Sequence, residues 1–310
     1  MAIKNLNKRL VETHKIKIGG HGAEKTARSG NKYRPPVKFD HFVVTGLDKD
    51  KNDNFIQDPA IMEQLGDKPK VLDIMLLSDD PDKNFMTAYQ LYQGKTCACR
   101  GDGEIANRIK TKDDKGKLLD PPIYHDVVCN TETCEFMLSG ACKPSGILSC
   151  MIPQSAKIGG VAKFRTHSWN TIINIMSSLD TIRLITGGVL FGIPLKMELI
   201  EKQTEKHGKV KVVNIVYAGD TQKLQLEASE QKQLRLQGSV DMRKQNQLID
   251  NSHILEDHDS PEDVEDEFYN TQETETEVKT KGTTPGELAE ELKKNKVETV
   301  KTTENKLDLF

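Results

Sequence analysis

The chain has 310 residues, of which 36% are hydrophobic and 29% charged, with a net charge of −3. That length admits one large or two small domains, and the low apolar fraction predicts that a good part of it stays unpacked. No apolar run near Met1 has the form of a signal peptide. The longest apolar patch, Val189–Leu195, is broken by Gly192 and Pro194 and is far too short to span a bilayer. The expectation is a soluble cytoplasmic protein with no membrane association.

Residues 1–38 carry ten Lys or Arg against two Glu and show no hydrophobic period, so they are predicted to be a basic disordered arm able to neutralise nucleic-acid phosphates. From Phe39 the pattern changes. FDHFVVTGL reads as a strand with Phe42, Val43 and Val44 inside. Asp58 is placed to cap a short helix through Met62 and Leu65 that Gly66 ends. Residues 71–77 and 84–93 read as strands flanking a DDPDK turn. KTKDDKGK then reads as a surface loop within the cysteine-bearing region.

Residues 147–152 and 161–166 read as a further strand pair. The strongest helical signal runs from Ser168 to Thr186, with Ile172, Met176, Leu179, Ile182 and Ile185 on one face and Gly187-Gly188 as the stop. LFGIPLKMELI and KVVNIVYA form a hairpin around Lys206-His207-Gly208-Lys209. Residues 221–250 read as a helical extension with a poor apolar stripe, interrupted at Gly238. Residues 251–310, with 17 acidic against seven basic side chains, are predicted to be an acidic disordered tail. The folded core is therefore placed at 39–220. It is α+β, a mostly antiparallel sheet with one central helix, disordered tails and a cysteine-rich, zinc-binding insertion near 97–145.

All six cysteines fall between positions 97 and 150. In a reducing compartment such a cluster points to metal-bound thiolates rather than disulfides. Zinc in structural sites takes four ligands in a tetrahedron, and Cys99, Cys129, Cys134 and Cys142 supply four thiolates. The short gap between Cys129 and Cys134 suits two ligands from one loop. Cys97, two residues from Cys99, is an alternative to it, and Cys150 alternates with Leu148 and Ile152 as a small buried hydrophobe. A closed four-thiolate site leaves no position for water, which argues for a structural metal and against catalysis.

Other motifs carry less. His125-Asp126 is the dipeptide of some metal phosphohydrolases, but no companion His or Asp is evident, so a structural role near Cys129 is favoured. Gly94-Lys95-Thr96 resembles the end of a P-loop, yet the required glycine five residues earlier is Tyr89. Arg100-Gly101-Asp102-Gly103 reads as a tight turn that brings backbone close to thiolate sulfur. His167, Ser168 and Trp169 have no readable acid partner, so Ser168 is taken as a helix cap and Trp169 as a core or rim residue.

The blocks CACRGDG, CNTETC, ACKPSGIL, FRTHSWNTI and LITGGVLFGIPLKMEL resemble the phage and prophage family of recombination directionality factor-like proteins, over about residues 35–220. The resemblance implies a non-catalytic regulator. It would bind a large serine integrase, on its coiled-coil arm, and turn it from integration to excision, with the four cysteines as the metal block. The rival readings are a nucleic-acid-binding protein of phage replication or recombination that contacts DNA through the basic arm, and a metal-dependent hydrolase.

Overall fold

Isoleucines alternating with lysines at residues 15–18 set the interior of a large sheet. In this computed structural model the described residues are 10–237, except 27–29, 31, 52–53, 95, 113–114 and 205–207. They all lie in the first of the chain's two compact units. The expected acidic tail at 251–310, residues 1–9 and residues 238–250 fall outside them.

The strands, in order, are β1 (Val11–His21), the short pair β2 (Lys25–Thr26) and β3 (Lys32–Tyr33), β4 (Pro36–Lys49), β5 (Phe55–Gln57), β6 (Val71–Leu76), β7 (Phe85–Gln93), β8 (Thr96–Gly101), β9 (Ile105–Lys112), β10 (Leu118–Val128), β11 (Lys143–Met151), β12 (Gly160–Thr166), β13 (Pro194–Thr204) and β14 (Gly208–Val216). The helices are α1 (Pro59–Leu65), α2 (Pro81–Asn84), α3 (Glu135–Leu138), α4 (Trp169–Ile185) and α5 (Thr221–Leu236). The protein is thus α+β and sheet-rich, with five helices: α1, α4 and α5 fall where the sequence reading placed helical segments, and the one-turn α2 and α3 are additional. Twelve strands form one sheet in the order β10-β9-β8-β7-β11-β12-β1-β4-β5, with β6 pairing both β11 and β13, and β13 pairing β14. Its strand pairs are antiparallel except β1 with β12.

The main core lies between the sheet and α4. Ile172, Ile175, Leu179 and Ile182 of the helix join Phe85, Leu148, Phe164, Leu195 and Val213 from the strands. Ser168 caps α4 by accepting from the Thr171 N–H, and Gly187 and Gly188 end it at φ +63° and +100°, where a side chain is disfavoured. Met176, expected inside, is exposed, and Ile175 takes the buried place. Sequence spacing alone did not separate the two because the helix carries a second apolar row. Trp169, Ile173, Met176 and Leu184 all lie exposed, at intervals that keep them on one side.

Two further differences bear on function. Residues 11–21, assigned to the basic disordered arm, form a strand with partners on both edges, and the predicted boundary at 39 falls inside β4. Ile16 and Ile18 enter the core while Lys15 and Lys17 are buried on the opposite face. Those lysines gave the segment the look of a solvated arm. In the fold their ammonium groups lie 4.7 and 5.0 Å from the Phe55 ring centroid, with Lys49 at 4.9 Å. Nearby, Glu12 accepts two hydrogen bonds from Arg165, at 2.8 and 2.7 Å, and has Lys15 at 3.5 Å and Lys163 at 4.0 Å. Burial raises the Glu12 carboxyl, but Arg165, followed by Lys15 and Lys163, outweighs it and holds the group at about 2.

The second difference lies in the cysteine region. Residues 97–101 of CACRGDG belong to β8, so the tight turn follows Gly101, and residues 110–112 of KTKDDKGK, read as a surface loop, belong to β9. Asp58 caps α1 as expected, accepting from the Ala60 and Ile61 N–H groups at 3.1 and 3.2 Å. The DDPDK segment is more ordered than a plain turn: Asp80 caps the short α2.

Candidate metal centre

The cysteines gather on one end of the sheet, around a small second core. Cys99 lies on β8, paired with Leu91 of β7 on one side and Arg108 of β9 on the other. The β8–β9 turn is held by Asp102, whose carboxylate accepts from the Glu104 and Ile105 N–H groups at 2.8 Å each. The Glu104 carbonyl in turn accepts from the Cys129 N–H at 2.8 Å, which anchors the point where the chain leaves β10. Gly101 is the contact surface there. A Cβ at that position would lie 2.8 Å from Cys129 Sγ and 2.6 Å from Ala106 Cβ, so only glycine fits.

Beyond Cys129, Asn130 organises a tight turn. Its side-chain oxygen accepts from Glu132 and Thr133, and its carbonyl accepts from the Cys134 N–H at 2.9 Å. Cys134 then occupies the cap position of α3, and the Cys142 N–H donates to the Phe136 carbonyl at 2.8 Å. Cys99, Cys129 and Cys142 share a cluster with Leu91, Ala98, Ala106, Tyr89, Ile109, Val127 and Phe136. Arg108 reaches two of the sulfurs, with Nε 3.4 Å from Cys99 Sγ and Nη2 4.0 Å from Cys134 Sγ.

Electrostatics report the crowding. Burial first, and then the neighbouring Cys99, Cys134, Cys129 and Cys97, together push the Cys142 thiol up to about 12. Cys134 moves in the opposite direction: burial raises it, but the N–H groups of Met137 and Phe136, with Arg108, bring it below the usual thiol value. Cys97 contributes to the same field and is half-buried on β8, its Sγ 3.5 Å from the Cys99 carbonyl, so it stays an alternative to Cys99. Cys150 is apart from the group. It is fully buried in the main core, and burial raises its thiol to about 12.

As the side chains stand, no group of three or more His, Cys, Asp or Glu among the described residues is arranged to hold a metal. The fit to zinc lies in the donor chemistry. Cysteine sulfurs from β8, the end of β10 and the loop around α3 are the four-sulfur donor set that a structural zinc ion would take as thiolates. Sequence reasoning placed the cysteines but missed Arg108, which has no local signature because its relation to Cys99 exists only across the strand pair.

The other motifs do not assemble into chemistry. His125 and Asp126 are successive residues of β10, so their side chains leave opposite faces of the ribbon. His125 Nδ1 is buried without a partner, and Asp126 accepts from Asn107 Nδ2 at 3.2 Å. Gly94 is followed by a strand, not the helix a P-loop needs. Trp169 is a rim residue in edge contact with Tyr89, their centroids 5.9 Å apart.

A model of the Gp3-like family, described as recombination directionality factor-like, matches residues 15–226. The chain belongs to that family. The match begins about twenty residues before the resembling region read from the sequence, and so takes in most of β1. It extends to the first turns of α5, and thus covers the sheet apart from the start of β1, together with the cysteine cluster. No curated protein and no solved structure matches the chain. The family's description is of a recombination regulator rather than a catalyst. No helix among the described residues of this recombination directionality factor-like protein is long and apolar enough to cross a membrane.

Proposed function

We propose that this protein is a non-catalytic phage regulator that binds a large serine integrase and favours excision over integration, with one zinc ion stapling its cysteine-bearing arm. The family match over residues 15–226 carries the reading. Cys99, Cys129, Cys134 and Cys142 are the residues that would hold zinc, and the metal's contribution is structural. It ties the β8–β9 hairpin to the α3 loop, where the second core is small. The partner surface assigned here is the exposed row of α4, Trp169, Ile173, Met176 and Leu184. Apolar residues at intervals of three to four and eight suit a helical partner laid alongside, which is the form of the integrase's coiled-coil arm.

Lys15 and Lys17 of the N-terminal segment are buried in the sheet and so are not placed to neutralise DNA phosphates. The deciding experiment is a pull-down with the cognate integrase, paired with an excision assay on attachment sites formed by integration. Stimulated excision and co-purification are the expected results. Absence of both, with binding to single-stranded or forked DNA instead, would move the function to phage replication. Metal analysis of the same preparation is expected to give about one zinc per chain, lost in Cys134→Ser.

A further inference from the structure

We propose that Arg108 is an outer-sphere component of the metal centre, a guanidinium that braces Cys99 against Cys134 and offsets the charge of the bound thiolates. This rests on the zinc reading above. Four thiolates around one divalent zinc leave about two negative charges in excess, in a pocket walled by Leu91, Ala98, Ala106 and Phe136. Such a site is stabilised by a fixed cation and by N–H donors aimed at sulfur.

Arg108 supplies both. Its backbone position is set by the ladder, directly opposite Cys99. Its Nε–H points to Cys99 Sγ at 3.4 Å, and its Nη2 lies 4.0 Å from Cys134 Sγ. The same guanidinium sits 4.9 Å from the centroid of the Phe136 ring, carried by α3 between Cys134 and Cys142. One side chain therefore touches a ligand from a strand, a ligand from a loop, and the aromatic ring that the loop brings with it. The planar fork is what allows two sulfurs to be engaged at once. A lysine at this place keeps the charge but offers a single compact donor.

The test uses full-length zinc-loaded protein, Arg108→Ala and Arg108→Lys, with Cys134→Ser as the control for metal loss. Three quantities are read: zinc per chain, transfer of zinc to a chromogenic chelator, and the thiolate-to-metal charge-transfer band of the cobalt(II)-substituted protein. Arg108→Ala is expected to load zinc but to yield it to the chelator about 10–100-fold more readily, with a shifted cobalt band. Arg108→Lys is expected to fall between it and the wild type. Wild-type zinc retention and an unshifted band in Arg108→Ala would overturn the proposal. If Cys134→Ser still lost its metal in that case, the zinc reading itself would stand. Wild-type protein that carries no zinc would overturn both. Should Arg108→Ala fail to fold, wild-type zinc release by Arg108→Lys overturns the bracing role.

Discussion

At Gly101 the backbone passes so close to its neighbours that a methyl group has nowhere to go. The added Cβ would meet Cys129 Sγ, Ala106 Cβ and the Ile105 carbonyl, all nearer than 3.0 Å. None of these is the end of a flexible chain, so the β8–β9 hairpin itself would have to shift. Gly101→Ala is expected to cost about 1–3 kcal/mol in denaturant unfolding and to lower zinc retention, because it moves Cys129. Gly103→Ala serves as a contrast. Its φ of +108° makes that substitution strained too, but its built Cβ meets only Tyr89, at 3.5 Å, so zinc retention should be less affected. If zinc retention were unchanged in Gly101→Ala, Cys129 would not depend on that close approach. The candidate site was legible at this scale as a set of cysteines. What assembles it was not, since Gly101, Asn130 and Arg108 act through the strand pair and turn that bring distant positions together.

Among the elements, α4 shows how the same residue types serve two ends. Leu179 is wholly buried, and Ile173, six residues earlier on the chain, is about half exposed. Leu179→Ala should destabilise the protein by about 2–5 kcal/mol, read as a lower denaturant midpoint. Ile173→Lys should change stability by no more than about 0.5 kcal/mol while weakening association with the integrase. A large stability loss in Ile173→Lys would mean that the exposed row is part of the core after all. The extent of α4, its Ser168 cap and its glycine stop were all readable from spacing and end signals. β1 was not. Its alternation covers only Ile16 and Ile18, and the intervening lysines mimic a solvated arm because a sequence does not reveal that Phe55 and Glu12 await them. Helix α4 announces itself through local order, whereas β1 is defined by neighbours up to about 150 residues away.

For the molecule as a whole, the buried ionic group on β1 and β12 makes stability depend on acid. The folded value of Glu12 is about 2 against an ordinary 4.5, so its contribution is fully present above about pH 4.5 and is lost as pH falls toward 2. In thermal unfolding between pH 5 and pH 2.5, the wild type is expected to lose stability more steeply than Glu12→Gln. The variant should already be weaker at neutral pH, because Arg165 is left buried without its carboxylate. Parallel slopes would show that Glu12 does not titrate with unfolding.

The parallel pairing of β1 with β12 also sets a timetable for the ribosome. Val11 meets Gly160 in the finished sheet, and the partner does not exist until that residue has been made. At about 5–20 residues per second, β1 waits on the order of ten to thirty seconds with one backbone edge open, even after β4 has closed the other. During that interval Ile16 and Ile18 belong to an unfinished sheet that invites pairing with another chain. Nascent chains arrested before residue 160 should therefore be cut readily by protease and be prone to bind chaperones. Chains arrested after β12 has left the exit tunnel should resist cleavage near β1. Early protection at β1 would mean that β4 alone suffices to shelter it.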